Sequence, residues 1–383
     1  MIDVLISGAG VGGLALAQAL RKKGISYEIF ERDASVRERR PGWVLGMHHM
    51  LDDLRDSIPD DMPPISTISN LGPLTKDYAP EFVYYNPAMN FKGKIGVRDD
   101  GTGWIVRTSR GALIEWLGLN LPIQYNKQAV DIEEVGEKVR VHFRDGTWAE
   151  GDILVGAEGS QSATRKHIIS PDPIRRTTMA MVSGEKTLSG DDMVEQLELG
   201  HSLYAVDMHS VVGETMILLV SLAEINPDGK SGRWFYALIW PDESAAEGSH
   251  WYETAPDQER YDFVMDKTKN LEAKWYTLVM DSMPTGRITL LGDAAHAMPP
   301  FRGEGAYHAI TDALNLARAI DKVDKDNVES IKAVFGPYQD EMLTRGAMAA
   351  KASEANFAKK REVGSKDPMY AWGRPIGPLP DEK

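Results

Sequence analysis

The sequence predicts an α/β protein with a β-rich segment inserted between two strand–helix units. The apolar run at 2–6 leads through glycines into a helical stretch at 11–20, and the apolar run at 288–291 leads into another helix from about 306. Between these units, residues from about 170 to 285 show mostly strand-like patterns. The 383 residues are enough for two domains, or for one large domain that carries an insertion.

The composition indicates a globular protein that buries a sizeable core, with 42% apolar and 26% charged residues. A net charge of −14 argues against broad binding to nucleic acid or to an anionic membrane, because neither polyanion is attracted to such a surface. The absence of cysteine excludes disulfides and thiolate nucleophiles, and the nine histidines lack metal-site spacing, so no metal is expected. Without a basic leader or a spanning apolar run, a cytoplasmic location is expected.

The turn after the first strand matches the pattern GxGxxG through Gly8, Gly10 and Gly13. In such a turn the first glycine bends the chain, the second admits a pyrophosphate and the third lets the helix pack closely on the strand. Glu31 ends the next strand, where an acceptor for a ribose hydroxyl is expected, and Arg32 follows it. The sequence therefore predicts a Rossmann-like dinucleotide site, with the adenosine of FAD favoured; a purely structural turn is the alternative.

A second motif, GDAAH at 292–296, follows the strand at 288–291. Asp293 stands at the carboxyl edge of that strand, where open α/β sheets bind ligands, and is expected to accept a ribityl hydroxyl. Gly303, Gly305 and Ala306 then open a helix and are expected to offer backbone N–H groups near a flavin ring. An ordinary strand–loop–helix junction is the alternative for this motif taken alone.

A third motif, GAEGSQSATR at 156–165, is weaker by itself. Arg165 is expected either to hold a phosphate or to pair with Glu158. A solvated loop explains the same residues equally well.

In this order and spacing, the three motifs resemble the p-hydroxybenzoate hydroxylase family of FAD-dependent, single-component flavoprotein monooxygenases, over residues 2–320. The resemblance implies a glutathione-reductase-type FAD-binding domain, and it implies that Arg110, in an RxxLxxxL pattern, contacts FAD. The run at 42–49, which contains Gly46, and the run at 303–308 are similar to the fungal secondary-metabolite branch. Two positions depart from the family pattern: Glu158 replaces an Asp, and Tyr307 replaces an Asn.

This resemblance implies a reaction in which NADPH or NADH reduces non-covalently bound FAD, and O2 is captured as a flavin C4a-hydroperoxide that oxygenates a small aromatic or other electron-rich substrate. An FAD-dependent oxidase, dehydrogenase or halogenase on the same fold is one alternative, although the halogenase Trp-x-Trp-x-Ile-Pro stretch is not seen. A non-catalytic binding protein that retains the fold is another. The identity of the substrate, the choice between NADH and NADPH, and the oligomeric state stay open.

The predicted FAD-binding domain is discontinuous, comprising 1–70, 101–169 and 286–383 with the C-terminal helices. The predicted substrate-binding β-sheet domain comprises 71–100 and 170–285.

The substrate pocket is expected beside the strand at 234–240, whose two faces are both apolar. Trp234, Tyr236 and Trp240 share one face, which we hypothesise covers the pocket over the flavin, together with Pro300. An aromatic sheet core explains these three side chains equally well.

No catalytic acid or base stands out in the sequence. The candidates are Tyr236, His48 and His296, with His49 and His201 as weaker ones. The resemblance implies that a basic cluster at Arg37, Arg39 and Arg40 lies near the FAD phosphates; a solvated basic patch is the alternative.

Overall fold

The structure is a computed structural model that describes residues 3–36, 38, 44–47, 50–70, 82–86, 91–95, 106–176, 179–200, 202–207, 216–226, 229–242, 276–277, 287–298 and 304–358.

The strands, in chain order, are β1 (Asp3–Ser7), β2 (Ser26–Phe30), β3 (Val44–Met47), β4 (Phe82–Asn86), β5 (Phe91–Ile95), β6 (Val106–Ser109), β7 (Ile123–Gln124), β8 (Ala129–Val135), β9 (Lys138–Phe143), β10 (Trp148–Gly151), β11 (Ile153–Gly156), β12 (Arg175–Arg176), β13 (Met179–Ser189), β14 (Leu203–Asp207), β15 (Ile217–Ile225), β16 (Ser231–Pro241), β17 (Tyr276–Thr277) and β18 (Ile288–Leu290).

The helices, in chain order, are α1 (Val11–Lys23), α2 (Leu51–Ser57), α3 (Arg110–Leu117), α4 (Ala163–Ile168), α5 (Gly190–Gly200), α6 (Asp293–His296), α7 (Gly305–Ile320) and α8 (Val328–Ala358).

A parallel sheet carries the glycine-rich turn, in the strand order β18-β11-β1-β2-β7. β1 lies at its centre because Val4, Leu5 and Ile6 are apolar on both faces and are buried there. On one face, α1 and α7 pack together and against the sheet, with Leu14 and Ile310 in the same core. The α/β class predicted from the sequence is therefore confirmed.

A small antiparallel sheet, β10-β9-β8, covers the other face of the parallel sheet. Leu5 and Phe30 pack there against Val139, Val141 and Phe143. The alternation in β9 explains this contact, because every second side chain of that strand is buried.

A six-stranded sheet, in the order β13-β16-β15-β14-β4-β5, forms the β-rich part. β16 is an interior strand next to the edge strand β13, and it pairs antiparallel with both β13 and β15. α5 covers one face, where Met193 and Leu197 pack against Trp234. The short pair β3–β6 touches β15 and so lies between the two large sheets. The exact division into two domains stays a prediction.

Within the described part of the chain, no helix combines the length and the apolar character needed to cross a bilayer.

Candidate functional site

Steric limits distinguish the three motif glycines of the first turn. Gly8 has φ +107°, and a Cβ added there would lie 2.4 Å from the carbonyl oxygen of Ala157. A Cβ on Gly13 would lie 2.0 Å from the carbonyl oxygen of Gly8, so this glycine allows α1 to approach β1. A Cβ on Gly10 would meet no atom of the described residues within 4 Å. Gly10 therefore adjoins a space that the described part of the chain leaves open.

The N-terminus of α1 opens into that space. Gly10 caps the helix without a side-chain acceptor, and Gly10, Val11 and Gly12 line a cavity of 540 Å³. Uncapped N–H groups and the positive end of the helix dipole attract an anionic group such as a pyrophosphate. The turn therefore fits the phosphates of a dinucleotide such as FAD.

Glu31 is held beside this turn by two backbone donors. Its carboxylate accepts hydrogen bonds from the N–H of Ala9 at 2.9 Å and of Asp33 at 3.1 Å. Arg32 also lines the cavity and pairs with Asp33 at 3.8 Å. The structure thus places an acceptor at the end of β2, as the spacing from the glycines predicts.

A second cavity, of 280 Å³, lies on the other side of Glu31. It shares Gly10, Glu31 and Arg110 with the first cavity, and Ile114 and Tyr125 contribute to its wall. Arg110 begins α3, whose N-terminus is capped by the Ser109 hydroxyl accepting from the Ala112 N–H at 3.2 Å. The two cavities therefore adjoin each other at Gly10, Glu31 and Arg110.

The turn at 292–296 brings Asp293 to the first cavity. Gly292 has φ +57°, and its N–H donates to Oδ2 of Asp312 at 2.7 Å, which fixes the turn. The Asp293 side chain is exposed to the cavity, which protein side chains and backbone line. This enclosure raises the pKa of the Asp293 carboxyl, while the charges of His296 and Arg110 oppose that effect.

The helix α7 opens at the same place. Gly305, Ala306 and Ala309 line the cavity, and a Cβ on Gly305 would lie 3.9 Å from Oδ1 of Asp293. The N-cap residue Glu304 makes no capping hydrogen bond through its side chain. A second helix N-terminus therefore points towards the space beside Asp293.

A buried network of charged side chains holds the Gly292 turn in place through Asp312. Nε2 of His296 lies 2.7 Å from Oδ2 of Asp312, and Arg345 of α8 donates to Oδ1 of Asp312 at 2.6 Å. His296 and Asp312 are both buried, and His296 does not line the cavity. The His296 ring therefore binds Asp312 and positions the turn, and its role as a catalytic acid or base stays a prediction.

The side chains of the third motif stabilise the site, but their partners differ from those expected from the sequence. Arg165 is fully buried and pairs with Asp172, with Nε 2.9 Å from Oδ1, so the expected pair with Glu158 is wrong. Glu158 instead accepts hydrogen bonds at 2.6 Å from the hydroxyls of Ser162 and Thr164. The reason is that Glu158 binds the first turn of α4, while Arg165 points away and also donates to the Ala294 carbonyl at 3.4 Å.

The β16 strand presents its other face to the cavity. Phe235 and Ile239 line the cavity, together with Leu203, Leu219 and Ser221 of the neighbouring strands. Trp234 is buried beneath α5, and the Tyr236 ring packs against the same cluster and lies over Gly184. On the opposite face of β16, Trp234 and Tyr236 thus pack with the side chains of α5. The hypothesis that the Trp234, Tyr236 and Trp240 face covers the pocket, and the catalytic role of Tyr236, stay predictions.

The structure places Gly46 on β3 in the wall of the cavity, opposite Arg107 in register. Tyr307 is partly buried, and its ring contacts His308 at a centroid distance of 4.9 Å. Several predicted site residues lie outside the described residues: Arg37, Arg39, Arg40, His48, His49, His201, Pro300 and Gly303.

Sequence reasoning missed Arg107, which is buried and lines the cavity. The available signal was an arginine within the short strand before Arg110. Phe235 and Ile239 were missed because both faces of β16 are apolar, so alternation alone does not say which face meets the ligand.

The comparisons with known proteins agree with this geometry. The sequence profile of the family described as FAD binding domain matches residues 117–332. FAD-dependent monooxygenase thnD from Trichoderma harzianum is 37% identical, over 97% of this chain and 96% of its own length. The chain belongs to the FAD-dependent monooxygenase family. This membership confirms the resemblance, identifies the chain as a flavoprotein oxidoreductase with FAD as cofactor, and implies NAD(P)H and O2 as co-substrates.

Solved structures of this family share the fold. 2,6-dihydroxypyridine-3-hydroxylase from Arthrobacter nicotinovorans has a TM-score of 0.74 and 18% identity, covering 97% of this chain and 96% of its own. HpxO of Klebsiella pneumoniae, solved with FAD and uric acid, has a TM-score of 0.65 and 19% identity, covering 94% and 89%. The FAD-dependent monooxygenase described here therefore has the overall fold of known flavin hydroxylases.

Proposed function

We propose that this FAD-dependent monooxygenase oxygenates a small aromatic or similarly electron-rich substrate that binds against the six-stranded sheet. The observation that carries the proposal is the continuity of one cavity, which runs from Gly10 past Asp293 to Phe235 and Ile239. One end has the polar backbone groups that suit a dinucleotide, and the other end has apolar walls. Cofactor and substrate would therefore meet in the same enclosed space.

The roles of the cofactor-binding residues follow from their positions. The N-terminus of α1 at Gly10 would hold the pyrophosphate, and Glu31 would accept a ribose hydroxyl of the adenosine half. The adenine would occupy the second cavity, near Ile114 and Tyr125. Arg110, between the two cavities, would add a positive charge beside the phosphates.

The other half of the cofactor would lie beside the second motif. Asp293 offers a carboxylate that is open to the cavity and suited to accept a ribityl hydroxyl. Gly305 and Ala306 at the start of α7, and Gly46 on β3, would adjoin the flavin ring with their backbone groups. These assignments rest on the cavity wall and on the motif positions together.

The overall reaction would consume one O2 and one NAD(P)H. One oxygen atom would enter the substrate and the other would leave as water. NAD(P)H would supply two electrons and one hydrogen as a hydride equivalent, and solvent would supply one proton. Bound FAD supplies the electron transfer and the oxygen-activating chemistry. The chain would bind both molecules, orient the substrate along β16 and exclude bulk water from the cavity.

The site would thus bind a small molecule as substrate. The enzyme would act in secondary metabolism, as the resemblance to the fungal branch implies. The cytoplasmic location expected from the sequence stays a prediction.

The visible absorption spectrum of the purified protein tests this function, before and after anaerobic addition of NADPH or NADH. A flavin spectrum that bleaches, and faster with an aromatic ligand than without one, is expected. Subsequent admission of O2 with a substrate should give one oxygenated product per NAD(P)H consumed.

Three outcomes would contradict the proposal or part of it. A flavin that neither nicotinamide reduces would favour an oxidase on the same fold. Failure of the apoprotein to bind added FAD would favour the interpretation as a non-catalytic binding protein. Hydrogen peroxide formation alone, with every aromatic ligand offered, would remove the aromatic substrate class.

A further inference from the structure

Met298 lies on the wall of the 540 Å³ cavity, shortly after the turn and the short helix α6 that carry Asp293. It is 9% exposed, and its side chain packs on Ala349 and Ala350 of α8, which are both fully buried. Met298 therefore belongs both to the space proposed for flavin and substrate and to the contact with α8.

The other methionines of the described chain have no such position. Met47 and Met342 are fully buried in the core beside the parallel sheet, and Met193 is buried beneath α5. Met348, on α8, is 44% exposed. Among the methionines that the structure describes, Met298 is the one that lines the cavity. Gap filling explains a methionine in a core, whereas Met298 also brings a thioether to the cavity in which O2 would react.

The thioether is the most easily oxidised side chain on the described part of this wall. Its sulfur accepts an oxygen atom without first losing a proton, unlike a thiol. The chain has no cysteine to compete with it, and the Lys127 amine on the same wall pairs with Asp145 at 2.6 Å. The Phe235 ring carries no activating hydroxyl or amino group. By its chemistry, Met298 thus falls in the electron-rich class proposed for the substrate.

We propose that Met298 is an internal oxygen acceptor, which is converted to methionine sulfoxide when no substrate occupies the cavity. This inference rests on the proposed function, because it uses the same NAD(P)H and O2. One oxygen atom of O2 bonds to the sulfur, whose lone pair supplies two electrons, and the other leaves as water when the O–O bond breaks. NAD(P)H supplies the other two electrons as a hydride, and solvent supplies one proton.

Oxidation would disturb the packing of α8. This helix lies so close to α6 that a Cβ on Gly346 would be 2.4 Å from Cγ of His296. The contact between Met298 and the two alanines, Ala349 and Ala350, lies on the same side of α8. A sulfoxide oxygen needs a hydrogen-bond donor when it is buried, and alanine side chains offer none. The sulfoxide therefore favours a displacement of α8.

The same helix fixes the turn that presents Asp293. Arg345 precedes Gly346 and donates to Asp312, and Asp312 accepts the N–H of Gly292. A displacement of α8 would therefore reach the proposed flavin site. The sulfoxide should weaken FAD binding, so turnover without substrate would limit itself.

Turnover under 18O-labelled O2, without substrate and with catalase present, tests the oxygenation. We would incubate the FAD-saturated protein with NAD(P)H and quantify labelled sulfoxide at each methionine by peptide mass spectrometry. Met298 should carry at least about tenfold more label than Met348, because catalase removes peroxide that reaches the solvent. Met193 is the buried control and should stay unlabelled, since it lies beneath α5 and does not line the cavity.

Hydrogen peroxide added to the oxidised enzyme without NAD(P)H should give the opposite order. Met348 should then be oxidised faster than Met298, because its exposed fraction is 44% against 9%. This reversal distinguishes oxygenation within the cavity from a general sensitivity of Met298. Faster oxidation of Met298 in both experiments would show a generally reactive sulfur and would overturn the internal route.

Met298→Leu tests the consequence for the cofactor, because leucine keeps an apolar side chain of similar size without sulfur. After turnover without substrate, the FAD affinity of wild type should be lowered at least about fivefold, and that of Met298→Leu should stay within about twofold of its starting value. Met348→Leu is the control on the same helix and should behave as wild type. Fluorescence titration with FAD, after removal of the nicotinamide, measures each affinity independently of activity.

Unlabelled Met298 in a protein that consumes NAD(P)H would overturn the inference, as would equal label on Met298 and Met348. Equal losses of FAD affinity in wild type and Met298→Leu would overturn the effect through α8. Failure of the proposed function looks different, because FAD binding or NAD(P)H oxidation would then be absent from the start.

Discussion

Nε2 of His296 lies 2.7 Å from Oδ2 of Asp312, and the same oxygen accepts the N–H of Gly292. Burial alone would lower the pKa of His296, but the Asp312 carboxylate outweighs that effect and raises it. Burial would likewise raise the pKa of Asp312, but His296 and Arg345 hold it at about 2. The turn that carries Asp293 is thus held by a charged pair.

This pair predicts a pH-dependent stability. Because the pKa of His296 is raised on folding, its contribution is full below about pH 6.5 and is lost as the pH rises through the folded-state value. The contribution of Asp312 is lost only as the pH falls from about 4 towards about 2. The stability advantage of wild type over His296→Asn should therefore be constant between about pH 5 and 6 and should decline as the pH rises above about 6.5.

Urea unfolding of the FAD-saturated proteins at several pH values measures this difference. His142→Asn is the control, since His142 pairs with Glu133 near the surface, where an ion pair contributes little. A difference between wild type and His296→Asn that does not change with pH would contradict the charged pair.

The two glycines Gly10 and Gly13 should differ when each is changed to alanine. Gly10→Ala meets no protein atom, so the apoprotein should lose only about 0.5–1 kcal/mol, as for an alanine in an N-cap position. Its methyl group would occupy the space next to the helix N-terminus, and FAD affinity should fall at least about tenfold. Gly13→Ala should instead destabilise the apoprotein itself by about 3 kcal/mol or more, because the Cβ collides with the Gly8 carbonyl.

Denaturant unfolding of the apoproteins and fluorescence titration with FAD separate these two effects. Equal losses of apoprotein stability in Gly10→Ala and Gly13→Ala would show that Gly10 also serves packing.

Glu31→Gln should weaken FAD binding by about tenfold, since removing the charge weakens a charge-assisted hydrogen bond to a ribose hydroxyl. The amide can still accept from the N–H of Ala9, so the fold should persist. Glu28→Gln on the same strand is the control, because Glu28 is exposed and binds Gln124. Fluorescence titration with FAD gives both affinities, and equal values for the two variants would remove Glu31 from the site.

The two faces of β16 should respond differently to mutation. Phe235→Leu removes part of the cavity wall and should lower the affinity for 2-naphthoate at least about threefold, through lost apolar contact. Tyr236→Phe lies on the side covered by α5 and should leave that affinity within about twofold. Calorimetric titration compares them, and the reverse order would return the pocket to the Trp234 face.

Much of the cofactor region was predictable because its chemistry is local in sequence. The glycines at 8, 10 and 13 follow a strand and open a helix, so their spacing alone identifies the phosphate turn and the distance to Glu31. Asp293 was found in the same way, from its place at the end of a buried strand.

Contacts between distant segments were not predictable. Arg165 has Glu158 nearby in sequence, yet its carboxylate partner is Asp172, because α4 directs the side chain away from Glu158. The role of His296 depends on Asp312 and Arg345 in two later helices. The face of β16 that meets the cavity depends on the position of α5, which no pattern within the strand reports.

The strand order of the parallel sheet also sets when the binding site can exist during synthesis. β1 emerges first, but its neighbour β11 pairs with β18 at Ile288–Leu290, and the turn after β18 depends on Asp312 and Arg345. The segment from β1 to Arg345 must therefore leave the ribosome before the two halves of the cavity wall come together. A nascent chain of this protein would present its first glycine turn long before it could retain a flavin, so cofactor capture is expected only after Arg345 has emerged.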